Sequence, residues 1–333
     1  MGGNALSKPS VRLARADYLE KERWAVTTLQ AEAPRSLVEA IPAYASKETF
    51  GDLDILISTG ELEPMVAAEA LSAEEVVRNG PVTSLGVWTS GGLFQVDLIY
   101  IDKDSFGYAH NYFSYNDLGN LVGRVAHKMG LSHKHNGLYF PVRDGDYKFK
   151  EICLTKDYLL ALEFLGFSPG VFQRGFNTLE DIFKYVVDSD FFSKEIYLLE
   201  NRNYASRVRD RKRHTYHEFL KWMELNPRVD YKYPQDKSTW MDYIFLYFPD
   251  FAQEYEGALR ELAKIKEVKE KFNGTWVYSL TGAQGKELGA LMARFKSSFP
   301  DHTDMVEYLL TQPQSEIAFR VRRTHAELQK ENQ

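Results

Sequence analysis

Cysteine is almost absent from this 333-residue sequence, in which Cys153 is the single example. One cysteine excludes an intramolecular disulfide and any zinc site built from several thiolates. Secreted proteins of ordinary stability often rely on disulfides, whereas proteins of reducing compartments do not. We therefore expect an intracellular, cytoplasmic protein.

Long apolar runs are missing as well, because no stretch of about 18 apolar residues occurs, and we expect no membrane contact. Charge of one sign is not dominant, since 41 Lys and Arg face 47 Asp and Glu, giving a net charge of −6. This balance argues against indiscriminate coating of nucleic acid but allows a local basic channel. A hydrophobic content of 44% predicts a globular chain, long enough for two domains.

The most informative stretch is 50–57, Phe-Gly-Asp-Leu-Asp-Ile-Leu-Ile. In a β-strand, Asp52 and Asp54 would share one face and the intervening apolar residues the other. Two carboxylates about 5 Å apart repel by roughly 3 kcal/mol at an effective dielectric near 20. A bound cation or a shared proton usually offsets such repulsion. Hard oxygen ligands on a strand favour Mg²⁺ or Mn²⁺.

A second β-rich stretch, 92–101, again carries one acid, Asp97, inside an apolar run. It follows strand-like residues 84–89 and a Ser-Gly-Gly turn, a pattern that predicts an antiparallel hairpin. A lone acid in a buried strand needs a partner. If the two acidic strands are neighbours, Asp52, Asp54 and Asp97 form a three-carboxylate site for two metal ions.

Several segments together resemble family X DNA polymerases, within the polymerase β-like nucleotidyltransferase superfamily. Residues 47–57 resemble the active-site strand, 94–97 the third-carboxylate strand, 112–131 the sugar-and-base recognition helix and 136–139 the turn after it. The likeness covers about residues 40–167 in the family's order. Residues 279–296 are similar to a tail element of tRNA CCA-adding enzymes of the same superfamily.

The resemblance implies an α+β fold, in which a small mixed-sheet nucleotidyltransferase palm, with helices on one side, precedes a mostly α-helical C-terminal domain. The expected divisions are an N-terminal helical segment (1–35), the palm (36–150), a thumb-like helix (151–170) and a helical, nucleic-acid-binding domain (171–333). It also implies metal-dependent transfer of a nucleotidyl group from an NTP or dNTP to a 3′ hydroxyl, with two Mg²⁺ or Mn²⁺ ions held by the three aspartates.

The triphosphate site departs from the family pattern, because no Gly-Ser pair precedes the acidic strand. Ser46 and Lys47 are candidates to replace that pair beside Gly51. The early Gly2-Gly3-Asn4 segment is an alternative backbone cradle for phosphate.

The resemblance assigns nucleotide contacts to Tyr112, Phe113, Asp117 and Asn120, and a contact with the template or the base pair to Arg124. Ser114-Tyr115 stands where the family more usually has Thr-Gly, so ribonucleotides and deoxyribonucleotides both remain open.

One dense basic run lies in the C-terminal half, with aromatic residues interleaved. We predict nucleic-acid contacts, through phosphate pairing and base stacking, by Arg202, Arg207, Arg209, Arg211, Lys212 and Arg213. Pairing of these cations with the chain's own acids is the alternative. The acceptor also remains open among tRNA or other RNA, gapped DNA, and a protein or small molecule as in toxin-like transferases. The remaining hypothesis is that the protein binds nucleic acid without catalysing a reaction.

Elsewhere the pattern predicts a helix over 10–31 and another over 71–79, the latter capped by Ser72 with Glu75 completing a capping box. Helices are also expected at 178–189, 206–225, 301–330 and, in pieces, 238–270. The closely spaced His127, His133 and His135 are expected to be surface or phosphate-facing residues.

Overall fold

The structure, a computed structural model, describes residues 3–331. Chain contacts divide the described residues into two compact units. The first comprises residues up to 141 together with 151–251, and the second comprises 142–150 and 252 onward. The first contains the main sheet, and the second is built largely from helices. The predicted α+β class, with sheets first and helices after, is confirmed.

The strands are β1 (Leu13–Ala14), β2 (Val38–Ala40), β3 (Thr49–Phe50), β4 (Asp52–Ser58), β5 (Glu75–Asn79), β6 (Val82–Thr89), β7 (Gly92–Ile101), β8 (Ser132–Lys134), β9 (Gly137–Asp144) and β10 (Tyr147–Thr155). The helices are α1 (Arg15–Glu32), α2 (Pro64–Ala70), α3 (Phe106–Phe113), α4 (Leu118–Lys128), α5 (Tyr158–Phe164), α6 (Pro169–Arg174), α7 (Leu179–Val187), α8 (Tyr204–Asp210), α9 (His214–Leu225), α10 (Met241–Tyr247), α11 (Phe251–Lys271), α12 (Gly274–Thr281), α13 (Gly285–Ser297), α14 (His302–Thr311) and α15 (Gln314–Glu331).

The main sheet has five strands in the order β2-β4-β7-β6-β5. Strands β4 and β7 pair in parallel, and every other neighbouring pair is antiparallel, so the sheet is mixed as predicted. The predicted hairpin is also present, with Val82 opposite Ile99 and Thr89 opposite Gly92. The two acidic strands are therefore direct neighbours.

Side-chain alternation along β4 gives the sheet two different faces. Leu53, Ile55 and Ile57 belong to the large core of the first unit, which α1 and α2 help to cover. On the opposite face, Leu56 and Ile99 pack with Phe106 and Ala109 of α3. The expectation of helices on one side is therefore wrong, because α3 covers the apolar part of the second face.

The predicted helix over 71–79 is wrong. Helix α2 ends at Ala70, Ser72 has a positive φ of 50°, and residues 75–79 form strand β5, antiparallel to β6. The consecutive valines at 76 and 77 are β-branched and fit a pleated edge strand better than a helix. The Ser-x-x-Glu spacing imitates a capping box, but long-range strand pairing overrides this local signal.

The other predicted helices are present with shifted ends, with two exceptions. Residues 151–155 of the predicted thumb-like helix belong to β10, and the predicted recognition helix over 112–131 is interrupted between α3 and α4. Helix α1 begins at Arg15 rather than at residue 10, because Leu13 and Ala14 pair with Phe50 and Thr49. The C-terminal helices α7 to α11, α14 and α15 cover the predicted ranges. In the second unit, Phe272, Leu291, Phe295 and Ile317 lie in a separate buried core.

The first turn of α4 requires a glycine where it meets the end of α3. A Cβ on Gly119 would lie 2.2 Å from the carbonyl oxygen of Tyr112, so the two helices touch at a point with no room for a side chain. By contrast, a Cβ on Gly107 of α3 would meet no other atom within 4 Å.

We predict that Gly119→Ala lowers the free energy of unfolding by about 1–3 kcal/mol, because the added methyl group overpacks this contact. The matched change Gly107→Ala should be neutral or stabilising by up to about 1 kcal/mol, since alanine favours helices. Urea denaturation of both variants checks this. Equal stability of the two would mean that the close approach of α3 and α4 does not constrain the fold.

Candidate metal centre

Three aspartates meet on one face of the sheet. Asp54 lies opposite Asp97 in the parallel register of β4 and β7, and Asp52 precedes Asp54 by two residues on the same strand. A carboxylate oxygen from each lies within 4.8 Å of one from each of the others. All three side chains are partly buried. The predicted convergence of the three carboxylates is therefore present, and the cluster could hold metal ions.

The sequence of the two strands explains why this face is polar at one end and apolar at the other. Along the shared face, Asp54 and Asp97 are followed by Leu56 and Ile99 at the next paired position. Helix α3 covers this apolar pair and leaves the acidic end of the face without that cover. The register between β4 and β7 thus places the carboxylates side by side, next to a packed apolar core.

The cluster disfavours its own negative charge. Burial, followed by the charges of Asp52 and Asp97, raises the pKa of Asp54 to about 7. Burial also raises the pKa of Asp97, although hydrogen bonds from Ser84 and Gln95 oppose the increase. A bound divalent cation would neutralise this repulsion, so binding of such an ion by the three carboxylates is favourable. Their hard oxygen atoms suit Mg²⁺ or Mn²⁺.

One cation of the chain itself faces this cluster. Burial lowers the pKa of Lys47, whereas the charges of Asp52 and Asp54 act in the opposite direction. The Lys47 ammonium lies 4.6 Å from the centroid of the Phe50 ring, which stacks on Tyr18 at a centroid distance of 3.7 Å. Lys47 is therefore placed beside the carboxylates by an aromatic stack under its side chain.

The segment that carries Lys47 is held by hydrogen bonds to its backbone. The amide of Arg15 donates to the carbonyl of Glu48, and the Arg15 guanidinium donates to the carbonyl of Lys47. The amide of Ser46 donates to the carbonyl of Asn177 at 2.7 Å. Ser46 and Lys47 thus lie on a fixed loop just before the acidic strand.

Gln95 is buried and holds Asp97 in place. Its amide nitrogen donates to both carboxylate oxygens of Asp97, at 3.0 and 2.9 Å, and its carbonyl oxygen accepts from the amide of Ala5 at 2.9 Å. Ser84, opposite Asp97 on β6, provides a further hydrogen bond. Because second-layer hydrogen bonds fix the orientation of ligands, Gln95 links the N-terminal segment to the acidic cluster.

Residues 3–11 form a strap across the sheet. The Ser7 amide donates to Glu75, Lys8 pairs with Glu74, and the Val11 amide donates to the carbonyl of Leu93. At the start of the strap, a Cβ on Gly3 would lie 2.4 Å from the carbonyl oxygen of Gly51, and Gly3 has a φ of +86°. Of the predicted phosphate cradle, Gly2 lies outside the described residues, while Gly3 lies directly against Gly51.

The predicted nucleotide residues of α3 and α4 have different surroundings. The rings of Tyr112 and Phe113 pack against His133 and His135, at centroid distances of 5.0 and 5.9 Å. Both ring nitrogens of His133 are buried, and burial lowers the pKa of this side chain to about 4. The expectation of a surface-exposed or phosphate-facing His133 is therefore wrong, because the surrounding aromatic rings exclude solvent.

A second charged cluster joins α4 to α8. Arg124 donates to both oxygens of the buried Asp210, at 3.1 and 2.9 Å, and to Asn120 at 2.7 Å. Arg213 pairs with Asp117. Asn120 and Arg124 thus contact each other and residues 209–210, and Asp117 contacts Arg213. The predicted roles of these three residues toward a nucleotide or template stay predictions.

The predicted basic residues divide into two sets. Arg202, Arg209 and Arg213 lie against carboxylates of the chain, at Asp210 for the first two and Asp117 for the third. Within residues 3–331, Arg207, Arg211 and Lys212 form no ion pair. The alternative of internal pairing therefore applies to half of the run.

Sequence reasoning missed Gln95, Ser84 and Asp210. Gln95 could have been found, because a polar residue two positions before Asp97 on a strand shares its face. Ser84 follows from the hairpin register once the turn is placed. Asp210 looked like a break in a basic run, and its burial depends on the packing of α8, which no local pattern indicates.

No protein-family model matches the chain, and no curated protein matches it either. Across residues 3–331, none of the helices combines the length and the apolar character needed to cross a bilayer.

We predict a characteristic pH dependence for the metal-free protein. Because the folded pKa of Asp54 is about 7 against an ordinary 3.8, the folded state binds the proton more tightly than the unfolded state. Stability should therefore fall as the pH rises from about 4 through about 7, by no more than about 4 kcal/mol. Urea denaturation in EDTA measures this, and Asp54→Asn should remove most of the fall, whereas the exposed Asp104→Asn should leave it unchanged.

Removing the Gln95 amide should weaken metal binding. Gln95→Leu keeps a similar volume but leaves Asp97 without its two hydrogen bonds, and we expect an affinity for Mn²⁺ lower by about tenfold or more. Titration calorimetry checks this. Gln30→Leu, which alters an amide that bonds backbone carbonyls after α1, is the control. An unchanged affinity in Gln95→Leu would show that Gln95 does not orient Asp97.

Proposed function

We propose that the protein is a metal-dependent nucleotidyltransferase, which moves a nucleotidyl group from an NTP or dNTP to a 3′ hydroxyl and releases pyrophosphate. The observation that carries this proposal is the approach of Asp52, Asp54 and Asp97 within 4.8 Å on two parallel, adjacent strands. Three carboxylates at one point form an unfavourable arrangement unless cations are bound. Their sequence surroundings resemble the polymerase β-like superfamily, which places such a trio at its active site.

The three aspartates would hold two Mg²⁺ or Mn²⁺ ions, which when bound supply Lewis-acid activation of the attacking hydroxyl and charge neutralisation for the leaving pyrophosphate. Asp97 is the candidate to accept or relay the proton of the attacking hydroxyl, since its pKa is raised above the ordinary value. Gln95 and Ser84 keep its carboxylate oriented toward the cluster.

The triphosphate would lie at the start of β4. Lys47 supplies a positive charge next to Asp52 and Asp54, and Ser46 lies on the same fixed loop. Gly3 and Gly51 bring two stretches of backbone together without side chains, a feature that suits close approach of a phosphate to main-chain N–H groups. This arrangement would replace the missing Gly-Ser pair.

The 3′ end of a nucleic acid is the acceptor that we favour. Three basic residues support this choice: Arg207, Arg211 and Lys212. They form no ion pair with any acid of residues 3–331, so they can neutralise the backbone phosphates of a nucleic acid.

We predict that Asp52→Asn and Asp97→Asn each lower the incorporation of labelled nucleotide by at least about 100-fold, because each removes a charged ligand at the reacting centre. Incorporation is measured with each labelled triphosphate, Mg²⁺ or Mn²⁺, and separate pools of tRNA, single-stranded DNA and gapped DNA. Asp104→Asn, which changes an exposed aspartate, should keep full activity.

The pool that supports extension names the acceptor. Labelling of the protein itself would favour a transferase that modifies proteins. Full activity in either aspartate variant, with a fold unchanged by circular dichroism, would contradict the proposed site, as would no incorporation by the wild-type protein with any pool.

A further inference from the structure

The first unit contains a basic cavity that the proposed chemistry does not use. It has a volume of about 780 Å³ and is lined by side chains from α4, from residues 193–203 and from residues 230–237. Five lining residues are Lys or Arg, and two are carboxylates. The volume falls within the range of pockets that hold small ligands.

Two of the lining arginines are deeply buried. The side chain of Arg124 is 6% exposed and that of Arg202 is 8% exposed. Asp210 accepts hydrogen bonds from Arg124, while its nearest approach to Arg202 is 3.7 Å. Arg209 also pairs with this carboxylate. One buried carboxylate therefore serves three guanidinium groups, and the local charge is strongly positive.

The hydrogen-bonding capacity of the two arginines is also incomplete. The Nε atoms of Arg124 and Arg202 are buried and form no hydrogen bond within residues 3–331, and the Arg202 Nε lies 3.7 Å from an oxygen of Asp210. Asp210 alone does not satisfy both guanidinium groups, and an anion in the cavity that Arg124 and Arg202 line would offset their buried positive charge. Guanidinium groups suit phosphate oxygens because of their planar set of donors.

The wall of the cavity adds an aromatic surface. The partly buried Tyr231 and Tyr233 line it, with their rings 5.0 Å apart between centroids and packed against Trp240. The Lys128 ammonium lies 5.9 Å from the centre of the Tyr233 ring. A ring bound beside the phosphate could therefore stack here, as bases do on tyrosine.

We propose that this cavity binds a nucleotide through its phosphate, with Arg124 and Arg202 at the phosphate and the tyrosine rings beside the base. The site is separate in its residues from the three aspartates and needs no metal ion. A free mononucleotide and a single nucleotide within a nucleic-acid strand both have the phosphate and the base that this site would bind.

Binding to the full-length protein is measured by calorimetry in EDTA, so that metal-held nucleotide at the aspartates does not contribute. The probes are inorganic phosphate, AMP and a short single-stranded oligoadenylate. We expect AMP or the oligoadenylate to bind, with Arg202→Gln weakening the affinity by about tenfold. The exposed Lys232→Gln, which carries little risk to folding, should weaken it by about threefold. Arg260→Gln, an exposed arginine of the second unit, should leave it unchanged.

A loss of AMP binding in the two variants identifies a free mononucleotide as the ligand, and a loss confined to the oligoadenylate identifies a strand. Either result supports the site. Binding of all three probes that is equal in wild type, Arg202→Gln and Lys232→Gln overturns it, and so does the absence of binding by every probe. Since EDTA removes the proposed metal chemistry from the assay, these results stand apart from those of nucleotide incorporation.

Discussion

Mutual repulsion among three carboxylates is the constraint on which the rest of the first unit depends. The parallel pairing of β4 and β7 forces Asp54 and Asp97 into neighbouring positions, and Asp52 follows by alternation. A fold that keeps these charges together must anchor both strands firmly. It does so with a core under Leu53, Ile55 and Ile57 and a second apolar contact at Leu56 and Ile99. Burial of the apolar side chains thus holds the acidic ones in place.

The surroundings of the cluster reduce this repulsion in two ways. Lys47 supplies a positive charge on a loop fixed by backbone hydrogen bonds, and Gln95 and Ser84 donate hydrogen bonds to Asp97. These groups lessen the cost of the cluster without cancelling it, because the pKa of Asp54 remains near 7. The remaining imbalance is the physical basis for expecting a divalent cation.

Much of this site was readable from local pattern, because the alternation of Asp52, Leu53 and Asp54 and the Ser-Gly-Gly turn before β7 are short-range signals. The failures came from long-range effects. Residues 75–79 became a strand through pairing with β6, and His133 was buried by aromatic neighbours far from it in sequence. The capture of Arg202 and Arg209 by Asp210 likewise depends on tertiary packing, which a charge count along the chain does not reveal.

The position of the strap along the chain has a consequence for how the protein is synthesised. Residues 3–11, the loop at 47 and the three aspartates all precede residue 102, whereas Asp210 is made more than 100 residues later. On a translating ribosome, domains generally fold in order of emergence. The sheet with its acidic face can therefore assemble before Asp210, the buried carboxylate that pairs with the Arg124 guanidinium of α4, has been synthesised. Because burial of an unpaired guanidinium is costly, we expect Arg124 to stay hydrated until α8 supplies Asp210.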